Sequence, residues 1–190
     1  NGRDTIMLAG TRERVAELNQ RARTQRLHGH TPQTEVDLAD GNRASIGDTI
    51  ITRQNNRLLR VATNDWVKNG DRWTVTGTTR TGGLQARHTQ SGRHVTLPAD
   101  YVAEQVELGY ASTIHTAQGI TADTVHGLLT GTETRQQAYT MLTRGRHHNA
   151  AYLVVVGDGD PHTAINPETI NPPTPTNILE TILARDESPV

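Results

Sequence analysis

"YASTIHTAQGITADTVHG" runs from Tyr110 to Gly127, and "AYTMLTRGRHHNAAYLVVV" from Ala138 to Val156. The first sets His115 and the pair Gln118-Gly119 between two β-type runs. The second places Thr143-Arg144-Gly145-Arg146 at the end of a helical run and before an apolar one. "VELGYAST" and "TVHGLLT" read as strands and "ETRQQAYTMLTRGR" as a helix. "AAYLVVV" reads as a continuous apolar strand of the kind buried in a parallel sheet. Strands alternating with a helix predict an α/β domain.

The start of the chain repeats that grammar. "DTIMLAG" predicts a short buried strand ending at Gly10, and "TRERVAELNQRARTQRLHG" the helix after it, with Thr11 as N-cap and Gly29 as stop. Val15, Leu18, Ala22 and Leu27 fall near one helical face, which distributes the arginines around the others. From about Gly41 to Tyr101 the pattern changes. "GDTIITR", "RLLRVAT", "DRWTVTGT", "GLQARHT" and "RHVTLPA" are short β-type runs parted by "QNN", "KNGD", "TGG" and "SGR", which predicts a small antiparallel barrel inserted into the α/β domain. After Gly157 a Pro-rich acidic stretch reads as a linker, followed by a short amphipathic helix in "NILETILARDE" with Ile178, Ile182 and Leu183 on one side.

Composition narrows the function classes. The 190 residues contain no Cys, so disulfides and thiolate zinc sites are excluded. No apolar run approaches a membrane span, and "NGRDTIMLAG" lacks the features of a signal peptide, so a cytoplasmic protein is expected. Without an initiator Met, the start reads as part of something longer. There is no Phe, so the core rests on Val, Ile, Leu and Ala. Net charge is −1, but residues 1–30 carry +3, 41–100 carry +5 and 157–190 carry −5. All cations except Lys68 are Arg, whose planar fork suits phosphate; a GC-rich genome would produce the same excess.

The ordered motifs resemble the second half of a superfamily 1 helicase motor, of the RecD-like type found in TrwC/TraA-type conjugative relaxases. "LAGTRERVAELNQRAR" resembles motif IV, "GYASTIHTAQGITAD" motif V and "AYTMLTRGRHH" motif VI, while "GDTIITRQNNRL" and "VKNGDRWTV" resemble the family's SH3-like insert. The likeness implies a RecA-like (P-loop NTPase-type) parallel sheet in residues 1–40 and 102–156, interrupted by the SH3-like β barrel in 41–101, with 157–190 as linker and short helix. It further implies an N-terminal RecA-like half of the same polypeptide as partner, single-stranded DNA as substrate, and ATP with Mg2+ in the full-length motor. No nucleotide is expected on this stretch alone. A phosphate loop needs G-x-x-x-x-G-K-[ST], and the only lysine, Lys68, lies in a turn.

Site residues follow from the same resemblance. Arg144 maps to the arginine that meets developing charge on the terminal phosphate, with Arg146 pointing elsewhere. Arg14, or else Arg12, maps to the motif IV arginine. On a strand, Thr113 and His115 would share one face, where a hydroxyl and an imidazole can meet DNA phosphate. Gln118 and Gly119 would lie at the start of the next helix, with free N–H groups for the nucleotide. Arg53, Asn55 and Asn56, with Arg57, would offer DNA contacts from an insert loop or simply form an Asn-rich turn. Trp66 and Trp73 can stack bases, although so small a core needs at least one of them. "HGH" and "HHN" lack a Cys or an acidic partner at ligand spacing, so no metal is expected. Two alternatives stay open: a free-standing single-stranded nucleic-acid-binding module, and a phosphotransferase or nuclease using His115. An upstream G-x-x-G-x-G-K-T would favour the motor over the first of these.

Overall fold

The computed structural model describes residues 4–117, 119–155 and 174–186. The backbone divides into two compact units. Residues 4–14 with the described residues from 112 onward make the first, and Val15–Ala111 the second.

The first unit is built on a four-stranded sheet in the order β11 (Ala111–Thr113), β1 (Thr5–Ala9), β12 (Ala122–Leu129), β13 (Gly145–Leu153). β1, β12 and β13 run parallel, with Ile6 opposite Val125 and Val125 opposite Asn149. Period-two alternation along β12 buries Val125, Gly127 and Leu129 on one face. Helices α3 (Arg135–Thr143) and α4 (Pro175–Ala184) contribute Ala138, Met141, Ile178 and Ile182 to the core that contains those strand residues. Gly127 is required there, because a Cβ would lie 2.8 Å from Met141 Sδ. α3 starts with a capping box, Thr134 and Gln137 each bonding the other's backbone N–H.

Several expectations need correction here. The last apolar run is not a strand buried on both sides. β13 begins earlier, at Gly145, and as the edge of the sheet it leaves most of its residues exposed or half-buried. α3 stops at Thr143, so Arg146 lies on the strand and not on the helix. In α4, Ile178 and Ile182 enter the core, but Leu183 is 56% exposed.

The second unit contains most of α1 (Arg12–Arg26), a five-stranded antiparallel sheet and two small ribbons. The sheet order is β10 (Val106–Leu108), β4 (Thr49–Thr52), β7 (Arg72–Thr78), β8 (Leu84–His88), β9 (His94–Leu97). β2 (Val36–Asp37) pairs with β3 (Arg43–Ala44), and β5 (Asn56–Ala62) with β6 (Asp65–Val67). Trp73 is fully buried at the core centre among Ile50, Val75, Leu84, Leu97 and Val102, the role an absent Phe would otherwise fill. The expected closed barrel is not formed among the described residues: β10 and β9 end the sheet without pairing to each other.

"VELGYAST" is likewise two strands in different sheets. β10 pairs antiparallel with β4, and at Gly109 the chain passes so close to β4 that a Cβ would lie 2.6 Å from the Ile50 carbonyl carbon. A short helix unanticipated from sequence, α2 (Ala99–Gln105), precedes β10 and buries Tyr101 and Val102 in the same core.

Candidate functional site

In the first unit the site residues gather at strand ends. β11 stops at Thr113, after which the chain turns: Ala117 N–H donates to Thr113 O at 3.0 Å and Ile120 N–H to Ala117 O at 3.0 Å. Thr113 and His115 therefore do not alternate on one strand. The Thr113 hydroxyl bonds that of Thr116 at 2.7 Å, and His115 is exposed in the turn. Ile114 and Ala117 are buried and anchor the turn from below. No helix follows; Gly119 sits at φ +92° in the turn, a conformation suited to glycine, and leads to β12. Gln118 lies outside the described residues.

The turn meets helix α3 through the side chain of Gln137. Gln137 Oε1 accepts the Thr134 N–H of the helix cap at 3.1 Å, while its Nε2 lies 3.4 Å from His115 Nε2. Two turns of helix later, Arg144 occupies the C-cap of α3 and its carbonyl accepts from Ala122 N–H at 3.1 Å. Arg144 Nε is buried and has no hydrogen-bond partner among the described residues. The next residue is tightly held. Asn149 Oδ1 accepts Gly145 N–H at 2.8 Å and Asn149 Nδ2 donates to Gly145 O at 3.1 Å. A Cβ on Gly145 would lie 2.3 Å from His148 O, so this turn admits only glycine. Ser112 Oγ, on β11, is likewise buried without a partner among the described residues.

Residues 8–14, the start of the segment that resembles motif IV, lie in the same unit. Thr11 Oγ1 accepts Arg14 N–H at 3.3 Å, and Arg12 and Arg14 are exposed in the first turn of α1. Beside Gly10, Glu133 is buried and accepts N–H bonds from Thr130 and Gly131 at 2.9 and 3.0 Å. A side chain at residue 10 would crowd its carboxylate. Sequence reading did not single out Asn149 or Glu133; each sits in an ordinary-looking context, "HHN" and "TGTET".

The insert residues are placed differently. Arg53 donates to Glu107 at 2.7 Å. Asn55 Oδ1 accepts Asn69 N–H at 2.9 Å, and Asn56 Oδ1 accepts Leu58 N–H at 2.9 Å. Those three side chains build loops. Arg57 instead lies over the Trp66 ring, 5.1 Å from its centroid.

The second unit also holds a buried charge cluster that composition conceals. Asp48, with a side chain that is 0% exposed, accepts hydrogen bonds from Arg23 Nε (3.2 Å), Arg26 Nε (2.8 Å), Tyr110 OH (2.6 Å), and the backbone and hydroxyl of Ser45 (2.7 and 2.9 Å). Burial alone would raise its pKa, but those donors outweigh it and hold the carboxyl below its ordinary value. Burial and the adjacent carboxylate push the Tyr110 hydroxyl up, so it stays a donor. Arg23 and Arg26 thus face inward on α1, contrary to the expected apolar stripe with arginines on the remaining faces. Asn19, 4% exposed, completes that face, accepting Ala111 N–H at 2.8 Å.

Residues 36–107 match the family described as Rv2311 SH3-like barrel domain. The uncharacterized protein Rv2311 of Mycobacterium tuberculosis (strain H37Rv) is 36% identical over 91 residues, 47% of this chain and 52% of that protein; MT2373 of strain CDC 1551 matches with the same figures. The chain spans about half the length of these curated relatives. Among solved structures, a Pif1 helicase from Bacteroides in complex with ADP-AlF3 and ssDNA is similar at TM-score 0.57 and 17% identity, over 78% of this chain and 40% of that one. Bacteroides Pif1 bound to ssDNA gives TM-score 0.57 at 18% identity, over 77% and 40%. Pif1 helicase from Candida albicans gives 0.52 at 14%, over 80% and 45%. The fold resembles that of these Pif1 helicases, and residues 36–107 match an SH3-like domain family. Among the described residues no helix is long and apolar enough to cross a membrane.

Proposed function

We propose that this chain is the second RecA-like half, with its SH3-like insert, of an ATP-dependent single-stranded-DNA translocase of superfamily 1, RecD-like in type and of the kind found in conjugative relaxase-helicases. It works in the cytoplasm with an N-terminal RecA-like half of the same polypeptide, which brings the phosphate loop. The observation that carries the reading is Arg144. Its Nε is buried at the end of α3 without a partner among the described residues, next to a glycine turn clamped by Asn149. A buried donor left unsatisfied costs about 1–3 kcal/mol, and such a cost persists where another molecule relieves it.

A magnesium nucleotide would supply the phosphoryl group whose transfer powers movement. Arg144 would hold its guanidinium against the charge that develops on the terminal phosphate, and Arg14 or Arg12 would meet the nucleotide from the exposed start of α1. Gly119, with Gln118 before it in sequence, would offer backbone N–H groups to the nucleotide. Thr113 and His115 would hold DNA phosphate, with His115 steered by Gln137, so that the DNA grip and the helix leading to Arg144 share one side chain. Arg53, Asn55 and Asn56 shape the insert loops and contribute to the DNA path through them.

The test uses the motor containing both halves. Arg144→Ala lowers ATP turnover by about two to four orders of magnitude with nucleotide affinity changed much less. Arg144→Lys restores little, since it keeps charge but loses the fork. Arg146→Ala is mild. A dead Arg146→Ala beside a near-normal Arg144→Ala would shift the assignment by two residues; two near-normal variants would end the motor reading of this segment.

A further inference from the structure

The second unit carries a surface that the loop contacts above do not use. The β5–β6 ribbon forms no part of the five-stranded sheet, and it turns Leu59 and Val61 toward the core. Its other side is open. Leu58 is 90% exposed, and Arg57 and Arg60 are exposed beside it. Trp66 lies directly across from Arg60 in the pairing register. Arg57 is 5.1 Å and Lys68 Nζ 5.8 Å from the Trp66 ring centroid.

The charges on this ribbon do not cancel. Asp65 is the one acid on the two strands, and it binds both Lys68 (2.6 Å) and Arg93 (2.9 Å). Arg60 gives one of its donors to Thr63 O at 2.9 Å. No described residue accepts a hydrogen bond from the Arg57 guanidinium, whose plane is held near the ring while its N–H groups remain available. Two tryptophans were equivalent in the sequence, and the fold separates them: Trp73 is fully buried and Trp66 is half-buried on the open ribbon.

We propose that the outer side of the β5–β6 ribbon is a nucleic-acid subsite for a single strand, with phosphates on Arg57, Arg60 and Lys68 and bases against Trp66 and Leu58. It rests on the single-strand reading above and locates the insert's contribution away from Arg53, Asn55 and Asn56. An aromatic face flanked by cations suits an unpaired strand, because every base has a π-face and every step a phosphate; a duplex hides the faces and offers Trp66 nothing to stack on. Stacking makes the subsite tolerant of sequence, while the cations make it sensitive to salt.

The experiment is titration of a fluorescein-labelled dT oligonucleotide with the 190-residue chain at low salt, read by anisotropy, with tryptophan emission read in parallel. Emission is quenched on binding through Trp66, since Trp73 is sealed in the core. Trp66→Ala weakens binding about tenfold and abolishes the quench, while Trp66→Phe retains most of the affinity. Arg57→Ala, at an exposed side chain that leaves folding untouched, weakens it a few-fold and lowers the slope of log affinity against log salt by about 0.7. Binding by the wild type with unchanged affinity in both Trp66→Ala and Arg57→Ala overturns the subsite and leaves the motor reading standing. Absence of wild-type binding overturns both. Equal displacement of the oligonucleotide by poly-glutamate and by unlabelled dT overturns the subsite in favour of simple charge capture.

Discussion

The two units differ in the buried polar atoms they leave unbonded among the described residues. In the Val15–Ala111 unit, Asp48 is surrounded by five donors, Arg53 is paired with Glu107, and Asn55 and Asn56 are spent on turns. In the parallel-sheet unit, Ser112 Oγ and Arg144 Nε are buried with nothing to bond among the described residues. Both atoms lie in or beside the segments that resemble motifs V and VI. The contrast separates residues that hold a fold from residues held by one. A satisfied polar network stabilises and specifies its own packing, whereas an unsatisfied atom in an otherwise well-packed unit costs free energy that only a missing partner offsets.

The largest effect is expected in the antiparallel unit. Trp73→Ala should destabilise that unit by about 3–5 kcal/mol, because nothing in a core without Phe can collapse into the space. Calorimetry should show its transition moving well below that of the parallel-sheet unit. If both units shift together, they unfold cooperatively and the contrast cannot be assigned to either alone.

Next in size is Asp48→Asn, with an expected loss of about 3 kcal/mol as Arg23 and Arg26 lose their shared carboxylate. The same carboxylate sets a pH dependence. Its folded-state pKa is depressed below the unfolded value of about 3.9, so its contribution is complete above that value and is lost as pH falls through the folded pKa. Urea midpoints of the wild type should therefore decline below about pH 4, and those of Asp48→Asn should decline less there. Parallel pH profiles for the two proteins would remove the cluster from the account.

Asn149→Ala should cost about 1–2 kcal/mol by freeing both polar groups of Gly145, and should lower turnover in the two-half motor by loosening the turn next to Arg144. Loss of stability without loss of turnover would confine Asn149 to packing. Arg53→Ala is the smallest effect, below about 1 kcal/mol, since its partner Glu107 is part-exposed. A large loss of single-strand affinity in that variant would return Arg53 to the DNA path as a direct contact.

Much of the fold was legible from local pattern. Strand β1, helix α1, the succession of short strands from Thr49 to Leu97 and helix α3 all follow from periodicity and turn residues. What was not legible depended on distance in sequence. The inward turn of Arg23 and Arg26 requires knowing that Asp48 arrives from the β3–β4 connection, and in a chain whose cations are nearly all Arg, two more arginines on a helix carry no signal. "VELGYAST" reads as one strand because Gly109 reveals its purpose only against Ile50. β13 looks buried because apolar composition does not distinguish a central strand from an edge. For the site, segment order was legible and side-chain placement was not: His115 was expected on a strand and lies in a turn, and Arg53, Asn55 and Asn56 prove to be occupied by the protein itself.

Denaturant unfolding of Arg144→Ala beside the wild type shows directly whether Arg144 is held by the fold or holds it. A guanidinium whose buried Nε has no partner among the described residues contributes little to its own unit, so the variant should unfold within about 0.5 kcal/mol of the wild type, or slightly later, while turnover of the proposed two-half motor is expected to collapse. A loss of more than about 2 kcal/mol would make Arg144 a structural residue of the α3 terminus and contradict the claim that it is kept for a partner.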